Sequence, residues 1–296
     1  MPKQTLEPMH PKDFVPWYGK IAAKLVLSRV PAAYGLWRSL SMFRHGSMHK
    51  PDYALDTFRQ HFKKSKLKGR KDLVHMEFGP GDSLFSSLVS RAHGASKVYL
   101  MDVGRFAVDD LDEYSAMHEF LRHVRLPVPD TDFTGDLDSM LASINAEYHT
   151  DGLDSLRNVP DNSVDYIWSN AVLEHVRLDE FPETARHMKR LLRPGGVCCH
   201  RIDIRDHLDE ALNSLRFPKS VWESRVMANS GFYTNRMRRD MIVDCFREAG
   251  FEVEVTREVR WDSMPTARWK LHADYRGRSE DELLVAGFDV RLTHPS

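Results

Sequence analysis

The sequence is poor in cysteine. Its 296 residues include three, Cys198, Cys199 and Cys245. Cys198 and Cys199 are adjacent, so in a strand their side chains take opposite faces. No disulfide framework or zinc spacing can be drawn from these three, and the chain reads as a protein of the reducing cytoplasm. A charge surplus is lacking too. Lys plus Arg number 42 and Asp plus Glu 43, a net charge of −1. Proteins held to nucleic acid by bulk electrostatics carry a basic excess, so no nucleic acid partner is expected. Long apolar runs are missing: no stretch is long enough to span a bilayer. The apolar stretch at residues 21–30 is interrupted by Lys24 and Arg29, which argues against an export signal. Internal repeats and low-complexity segments are absent. What remains is an ordinary globular composition, sufficient for one large domain with appendages.

The chain is organised around Val74-His75-Met76-Glu77-Phe78-Gly79-Pro80-Gly81-Asp82-Ser83. Leu73 to Phe78 is mostly apolar behind a basic run, as a buried strand should be. Gly79 and Gly81 then allow a tight turn and close approach of a ligand. Asp82 or Ser83 can cap a helix that continues through Leu84, Leu88 and Val89. Strand, Gly-x-Gly and helix in this order form a small-molecule cradle. A dinucleotide site wants a third glycine where Leu84 stands, and a phosphate loop wants a following Lys that is absent. Instead Glu77 precedes the first glycine by two residues. An acid there would repel a pyrophosphate and suits a cationic ligand.

On these residues the sequence resembles the class I S-adenosylmethionine (SAM) dependent methyltransferases. Their first motif, Asp/Glu-x-Gly-x-Gly, is matched by Glu77-Phe78-Gly79-Pro80-Gly81. The resemblance implies SAM as cofactor and S-adenosylhomocysteine as product. It implies that Phe78, Gly79 and Gly81 pack on the methionine part while Glu77 supports its ammonium end. The plain alternative is a Gly-Pro-Gly turn with no ligand. Lys97 to Asp102 reads as the second strand. Asp102, with Val103 beside it, lies about twenty residues past Gly81, the spacing of a ribose acid. A third strand, Asn145 to His149, leads to Asp151-Gly152-Leu153, where the resemblance places the adenine ring. Both acids could instead start or cap turns.

Pro160 to Ser163 is a turn that delivers a fourth strand, Val164 to Trp168. Ser169-Asn170-Ala171-Val172-Leu173-Glu174-His175-Val176 follows. It resembles the small-molecule branch of the family, whose pattern ends in Leu-Glu-His-Val, and assigns Asn170 and Ala171 to the cofactor. DNA amino-methyltransferases show Asn/Asp-Pro-Pro-aromatic here, so that chemistry is disfavoured. A helix over Asp179 to Leu192 ends at Arg193-Pro194-Gly195-Gly196, and a fifth strand runs Val197 to Ile204. Phe232 to Arg238 opens a helix that closes at Ala249. Strands from Glu252 to Trp261 and from Leu283 to Leu292 complete the pattern. The expected fold is α/β: a Rossmann-like, doubly wound, mostly parallel sheet over residues 71–296. Residues 105–146 and 206–240 are read as substrate-shaping insertions. Residues 1–70 read as an N-terminal helical extension, with helices over Tyr18 to Leu27, Ala32 to Phe43, and from Pro51 through Phe62. This extension either caps the domain or makes peripheral contact with an anionic membrane surface. Arg44-His45-Gly46 either folds over the cofactor or is a turn. The basic run Lys63 to Lys71 either meets phosphates or is a solvated helix end and linker, the commoner use of such a run.

In an open parallel sheet, ligands sit beyond the carboxyl ends of the strands, so the residues after each strand converge there. A hydroxyl acceptor needs its proton removed, a task that suits histidine near neutral pH. His175 and His207 both follow core strands and are the candidate bases. His175 could equally be a helix-start histidine bonded to the backbone, and His207 a helix-capping or surface residue. Asp203, Arg205, Asp206, Asn235 and Arg236 are candidates for binding a polar acceptor. Asp203, Asp206 and His207 are too closely spaced along the chain to make a convincing metal site, and no metal is expected. His200 to His207 together with Phe232 to Arg236 resembles bacterial methyltransferases associated with surface-glycan biosynthesis. That resemblance implies a saccharide hydroxyl as the small-molecule or glycan acceptor. Methylation of an aromatic or lipid-soluble metabolite, or an inactive SAM-binding scaffold, would keep the same cofactor site.

Overall fold

The computed structural model describes residues 18–19 and 47–294. Apart from Tyr18 and Gly19, the two helices expected before Pro51 and the Arg44-His45-Gly46 stretch lie outside these residues. Helix α1 (Pro51–Ser65) starts with proline, whose missing N–H costs nothing at that position, and ends at Lys66 with φ of 62°. Ala54, Leu55, Phe58 and Phe62 recur at helical spacing and are buried.

Strand β1 (Leu73–Phe78) feeds α2 (Phe85–Ala92), and β2 (Ala95–Met101) follows. Helix α2 opens without a side-chain cap, so neither Asp82 nor Ser83 plays the expected part. Only a 3.5 Å contact joins Phe85 N to Ser83 Oγ. The connection to β3 (Ala146–His149) holds α3 (Leu111–His123) and α4 (Leu137–Ser143). Helix α3 begins at Leu111 because Asp110 accepts the Asp112 amide and caps it. A short α5 (Leu153–Arg157), β4 (Val164–Asn170), α6 (Phe181–Leu191) and β5 (Leu192–Asp203) come next. Beyond residues 204–238, which hold short helical turns at Asn213–Arg216, Lys219–Trp222 and Arg225–Ala228, lie α7 (Arg239–Glu248), β6 (Glu252–Arg260) and β7 (Val285–Thr293). Phe232 to Arg238 is therefore not the start of the helix but an irregular stretch leading to it.

The seven strands form one sheet in the order β3-β2-β1-β4-β5-β7-β6. The pairs from β3 to β5 are parallel, and β7 runs antiparallel to both β5 and β6. The winding reverses between β1 and β4, which makes the cleft beyond their carboxyl ends the switch point. Both faces are covered, which is why β4 is buried nearly throughout. Leu84, Leu88, Tyr114, Met117 and Trp168 lie in the core on one side, under α1, α2 and α3. Met76, Ile167, Phe181, Met188, Ile242 and Phe246 lie on the other, under α6 and α7. Helix α1 is part of this packing: Phe58 meets Trp168 edge-on at 5.7 Å, and Lys64 Nζ lies 2.6 Å from Asp289 Oδ2 on β7. A smaller apolar cluster of Leu208, Trp222, Met227, Phe232 and Tyr233 organises the segment after β5.

Candidate active site

The turn after β1 is held from two sides. Gly79 has φ of 64° and donates its amide to Met101 O at 2.7 Å. A Cβ on Gly79 would stand 2.6 Å from both γ-carbons of Val172, so only glycine fits there. Gly81 has φ of 72°, and a Cβ there would meet nothing within 4 Å. The turn therefore presses its first glycine against the β4 loop and presents its second to open space. Glu77, at the end of β1, is buried, and Ser86 Oγ on α2 donates to its Oε2. Burial pushes its carboxyl up to about 8, against the opposing Ser86 bond, and the Asp102 charge adds to the rise. A buried acid with this little compensation suits an incoming cationic group.

Asp102 is fixed by backbone on both sides. Its Oδ2 accepts the Gly81 amide at 3.1 Å and its Oδ1 the Val103 amide at 2.7 Å. Burial raises its pKa while these two bonds oppose the rise. The Asp102 carbonyl also accepts Gly152 N at 2.9 Å, bringing the end of β3 to the end of β2. Gly152 has φ of 57° and sits against Val103, which is 79% exposed. Asp151 is exposed, its amide bonded to Ser155 Oγ, and Leu153 is partly buried. The proposed ribose and adenine residues thus stand side by side at the carboxyl ends of β2 and β3.

Strand β4 ends at Asn170, and Ala171 follows with φ of 56°, an uncommon conformation for a side-chain-bearing residue. That turn aims the chain back towards β1. Asn170 Oδ1 lies 3.2 Å from His61 Nε2 on α1. An amide oxygen only accepts, so His61 donates from Nε2. Burial lowers the His61 pKa to about 4, keeping the ring neutral.

His175 and His207, read from sequence as alternatives, stand together. Their rings stack with centroids 4.9 Å apart and 14° between planes, and their Nε2 atoms are 3.2 Å apart. His175 Nδ1 lies 2.8 Å from the Tyr233 carbonyl oxygen. That carbonyl can only accept, so His175 carries a proton on Nδ1. In the neutral pair, His175 Nε2 is then the acceptor and His207 Nε2 the donor. Both residues are exposed at the carboxyl edge of the sheet.

The acceptor residues expected from sequence divide into two groups. Asp203 and Arg205 lie at the edge and form a bidentate pair, with Nη2 to Oδ2 at 2.6 Å and Nε to Oδ1 at 2.9 Å. This pair holds the Asp203 carboxyl below the usual range despite its burial. Asp206, Asn235 and Arg236 do not face the cleft as acceptor ligands would. Asp206 is buried and accepts five backbone amides, from Leu208, Asp209, Ala211, Asn213 and Ser214. Asn235 is buried: its Nδ2 donates to Leu173 O at 2.9 Å and Val176 O at 3.0 Å, and its Oδ1 accepts Met237 N. Arg236 is buried between the rings of Trp222 and Tyr275 and donates to Phe217 O at 2.8 Å. A short polar side chain at a loop origin satisfies its own backbone before it reaches a ligand. Asn235 ties down the loop that carries His175, Asp206 folds the loop that follows His207, and Arg236 fastens the segment beyond it.

Several residues of the site were missed by sequence reasoning. Ser86 carries no local signal for its bond to Glu77. Glu174 is buried, and neither carboxylate oxygen has a hydrogen-bond partner among the described residues. Burial raises its pKa well above the ordinary carboxylate value. Arg201, opposite Asn170 in the β4–β5 register, could have been found from its place near the end of β5. Among the described residues there is no group of three or more metal-ligating side chains. No described helix is long and apolar enough to cross a membrane.

A sheet of this order, with an acid and a glycine turn after β1 and a second acid after β2, defines the class I methyltransferase architecture. The profile of the family described as "Methyltransferase domain" matches residues 45–255, and the chain belongs to that family. Its methyl donor is SAM. No curated protein matches the chain. The chain is similar to a SAM-dependent methyltransferase from Mesorhizobium loti, at 17% identity over 80% of this chain and 99% of that one, with a TM-score of 0.43. It is also similar to a SAM-dependent methyltransferase from Methanosarcina mazei, at 16% identity over 77% and 96%, with a TM-score of 0.47. A third likeness is to phosphoethanolamine N-methyltransferase 2 of Haemonchus contortus in complex with SAM, at 14% identity over 81% and 53%, with a TM-score of 0.43.

Proposed function

We propose that the chain transfers the methyl group of SAM to a hydroxyl of a small polar acceptor, a saccharide, with the His175–His207 pair taking the hydroxyl proton. The observation that supports this is the pair itself. Two stacked imidazoles, one with its tautomer set by a backbone carbonyl, stand at the edge of the sheet where the cofactor cleft opens. Bound SAM supplies an electrophilic methyl on a positively charged sulfur. The acceptor oxygen takes the methyl, the electrons of the broken S–C bond stay on sulfur, and the acceptor proton goes to the imidazole pair. The pair accepts that proton as a unit, since its two rings share one N–H between them. The Asp203 carboxylate, whose pKa is lowered in part by His207, offsets the positive charge that develops. Asn235 and Tyr233 contribute by orientation, holding the His175 loop so that little is lost to misplacement.

Methyl transfer from labelled SAM to sugar nucleotides, glycan fragments and small phenols tests the reading. Transfer to saccharides is expected, and transfer confined to phenols or lipids would overturn it. At saturating SAM, His175→Ala and His207→Ala should each lose about 10²-fold in turnover with cofactor affinity retained.

A further inference from the structure

Three side chains stand in a row across the carboxyl half of the sheet: Asn170 on β4, Arg201 on β5 and Asp289 on β7. The register pairs Asn170 with Arg201 and Arg201 with Asp289, so all three share one face. Helix α1 covers that face, since His61 reaches Asn170 and Lys64 reaches Asp289. The two acids nearest to Arg201 along these strands are already engaged. Asp289 accepts Lys64 at 2.6 Å, and Asp203 is chelated by Arg205. Glu174, within electrostatic reach of Arg201, is fully buried, and burial favours its neutral form. Arg201 makes no hydrogen bond or ion pair with the described residues, and it is half-buried rather than fully solvated. Beside it, Asn170 has its oxygen turned to His61, so the amide nitrogen is the group left for a ligand. Among the described residues, a guanidinium with no hydrogen-bonded acid stands next to an amide donor turned from His61, and together they make a donor-only corner.

We infer that Arg201, with the Asn170 amide beside it, binds an oxyanion on the methyl acceptor, so that the acceptor is an acidic saccharide carrying a carboxylate or phosphate rather than a neutral one. This rests on the hydroxyl-acceptor reading above and narrows it. The planar fork of arginine matches both oxyanions, and anchoring the charged group leaves a ring hydroxyl to be presented at the imidazole pair. The carboxylate of the cofactor's methionine portion offers the same chemistry, so the two sources must be separated by experiment.

The test titrates the full-length protein, loaded with S-adenosylhomocysteine, with D-glucuronate, D-glucose 6-phosphate and D-glucose by calorimetry. At least one anionic sugar should bind about tenfold or more tightly than glucose. Arg201→Gln should abolish that preference and leave S-adenosylhomocysteine affinity unchanged, and Arg201→Lys, which keeps the charge, should restore part of it. Equal binding of charged and neutral sugars, or no binding of either anionic sugar, overturns the inference. A loss of S-adenosylhomocysteine affinity in Arg201→Gln assigns the guanidinium to the cofactor carboxylate and overturns it too. Failure of the underlying reading looks different: anionic sugars would bind through Arg201, yet no labelled methyl would reach oxygen in any of them. Cofactor binding by Arg201→Lys shows that a variant at this position still folds.

Discussion

Asp102 Oδ2 accepts the Gly81 amide at 3.1 Å, so the acid after β2 and the glycine turn after β1 are positioned by one bond. The carboxylate is thus prepared before any ligand arrives: one oxygen faces Gly81, the other Val103. Asp102→Ala should weaken S-adenosylhomocysteine binding by about 1–3 kcal/mol, through the lost ligand contact and the loosened turn. Calorimetry at fixed salt measures this, and unchanged affinity would reject the ribose assignment.

Gly79 tests the shape of the turn. Gly79→Ala places a methyl 2.6 Å from the γ-carbons of Val172 at a φ of 64°. A destabilisation of about 1–3 kcal/mol is expected, with loss of cofactor binding. Val172→Ala in the same chain removes the two γ-carbon contacts, leaving Val172 Cβ at 3.2 Å, and should recover part of the melting temperature. If the double variant is no more stable than the single one, the backbone angle, not the contact, is the obstacle.

Glu77 predicts a proton linkage. Its carboxyl is pushed up to about 8 by burial, so the resting protein holds a proton there at pH 6–7. Pairing with a cofactor ammonium favours the ionised form, and binding should release up to about one proton in this range. The release fades above about 8, where the acid is already ionised. The same shift sets a stability trend in the absence of ligand. The raised folded-state pKa contributes stability fully below about 4.5, and the contribution is lost as the pH climbs through about 8. Calorimetry of S-adenosylhomocysteine binding in two buffers of different ionisation enthalpy reads the proton count. A count of zero at pH 6.5 would show that Glu77 does not meet the ammonium group.

Asp206 is expected to matter for the acceptor wall and not for the cofactor. Its five amide donors make it the organising anion of residues 206–214. Asp206→Ala should cost about 3 kcal/mol or more of stability, because five backbone N–H groups lose their acceptor. Below its lowered melting temperature the variant should bind S-adenosylhomocysteine normally and turn over acceptor poorly. Weak cofactor binding in protein that remains folded would show that the wall and the cleft are coupled.

Much of the cofactor side was legible in the sequence because it depends on local chemistry. A glycine turn after an apolar strand and acids at strand ends each announce themselves within a few residues. Strand β1 occupies Leu73–Phe78 as the apolar run indicated. The acceptor side was legible only as a region. Asp206, Asn235 and Arg236 are the polar types a saccharide would need, but whether a polar side chain meets a ligand or its own backbone is decided by the loop's path. His175 and His207 are 32 positions apart, and no local pattern brings their rings into contact. The link from His61 to Asn170 spans 109 positions and became visible only once α1 was seen on the sheet.

The antiparallel β7 also governs the order in which the sheet can be assembled. Strand β6 precedes β7 in the chain but joins the sheet only through it. Until β7 arrives, β5 has an open edge with unpaired amides and carbonyls, and β6 has no strand beside it. The parallel core from β3 to β5 can form first, leaving a partly built sheet with a sticky margin. Closing it requires β7 to pair with β5 on one side and to bring β6 with it on the other, and the β5 pairing is one of large sequence separation, the kind that slows folding. Arg201 lies on that same margin, opposite Asp289. The two donors of the corner, Arg201 on β5 and the Asn170 amide on β4, belong to the core that can form first, whereas Asp289, which anchors α1 through Lys64, arrives only with β7.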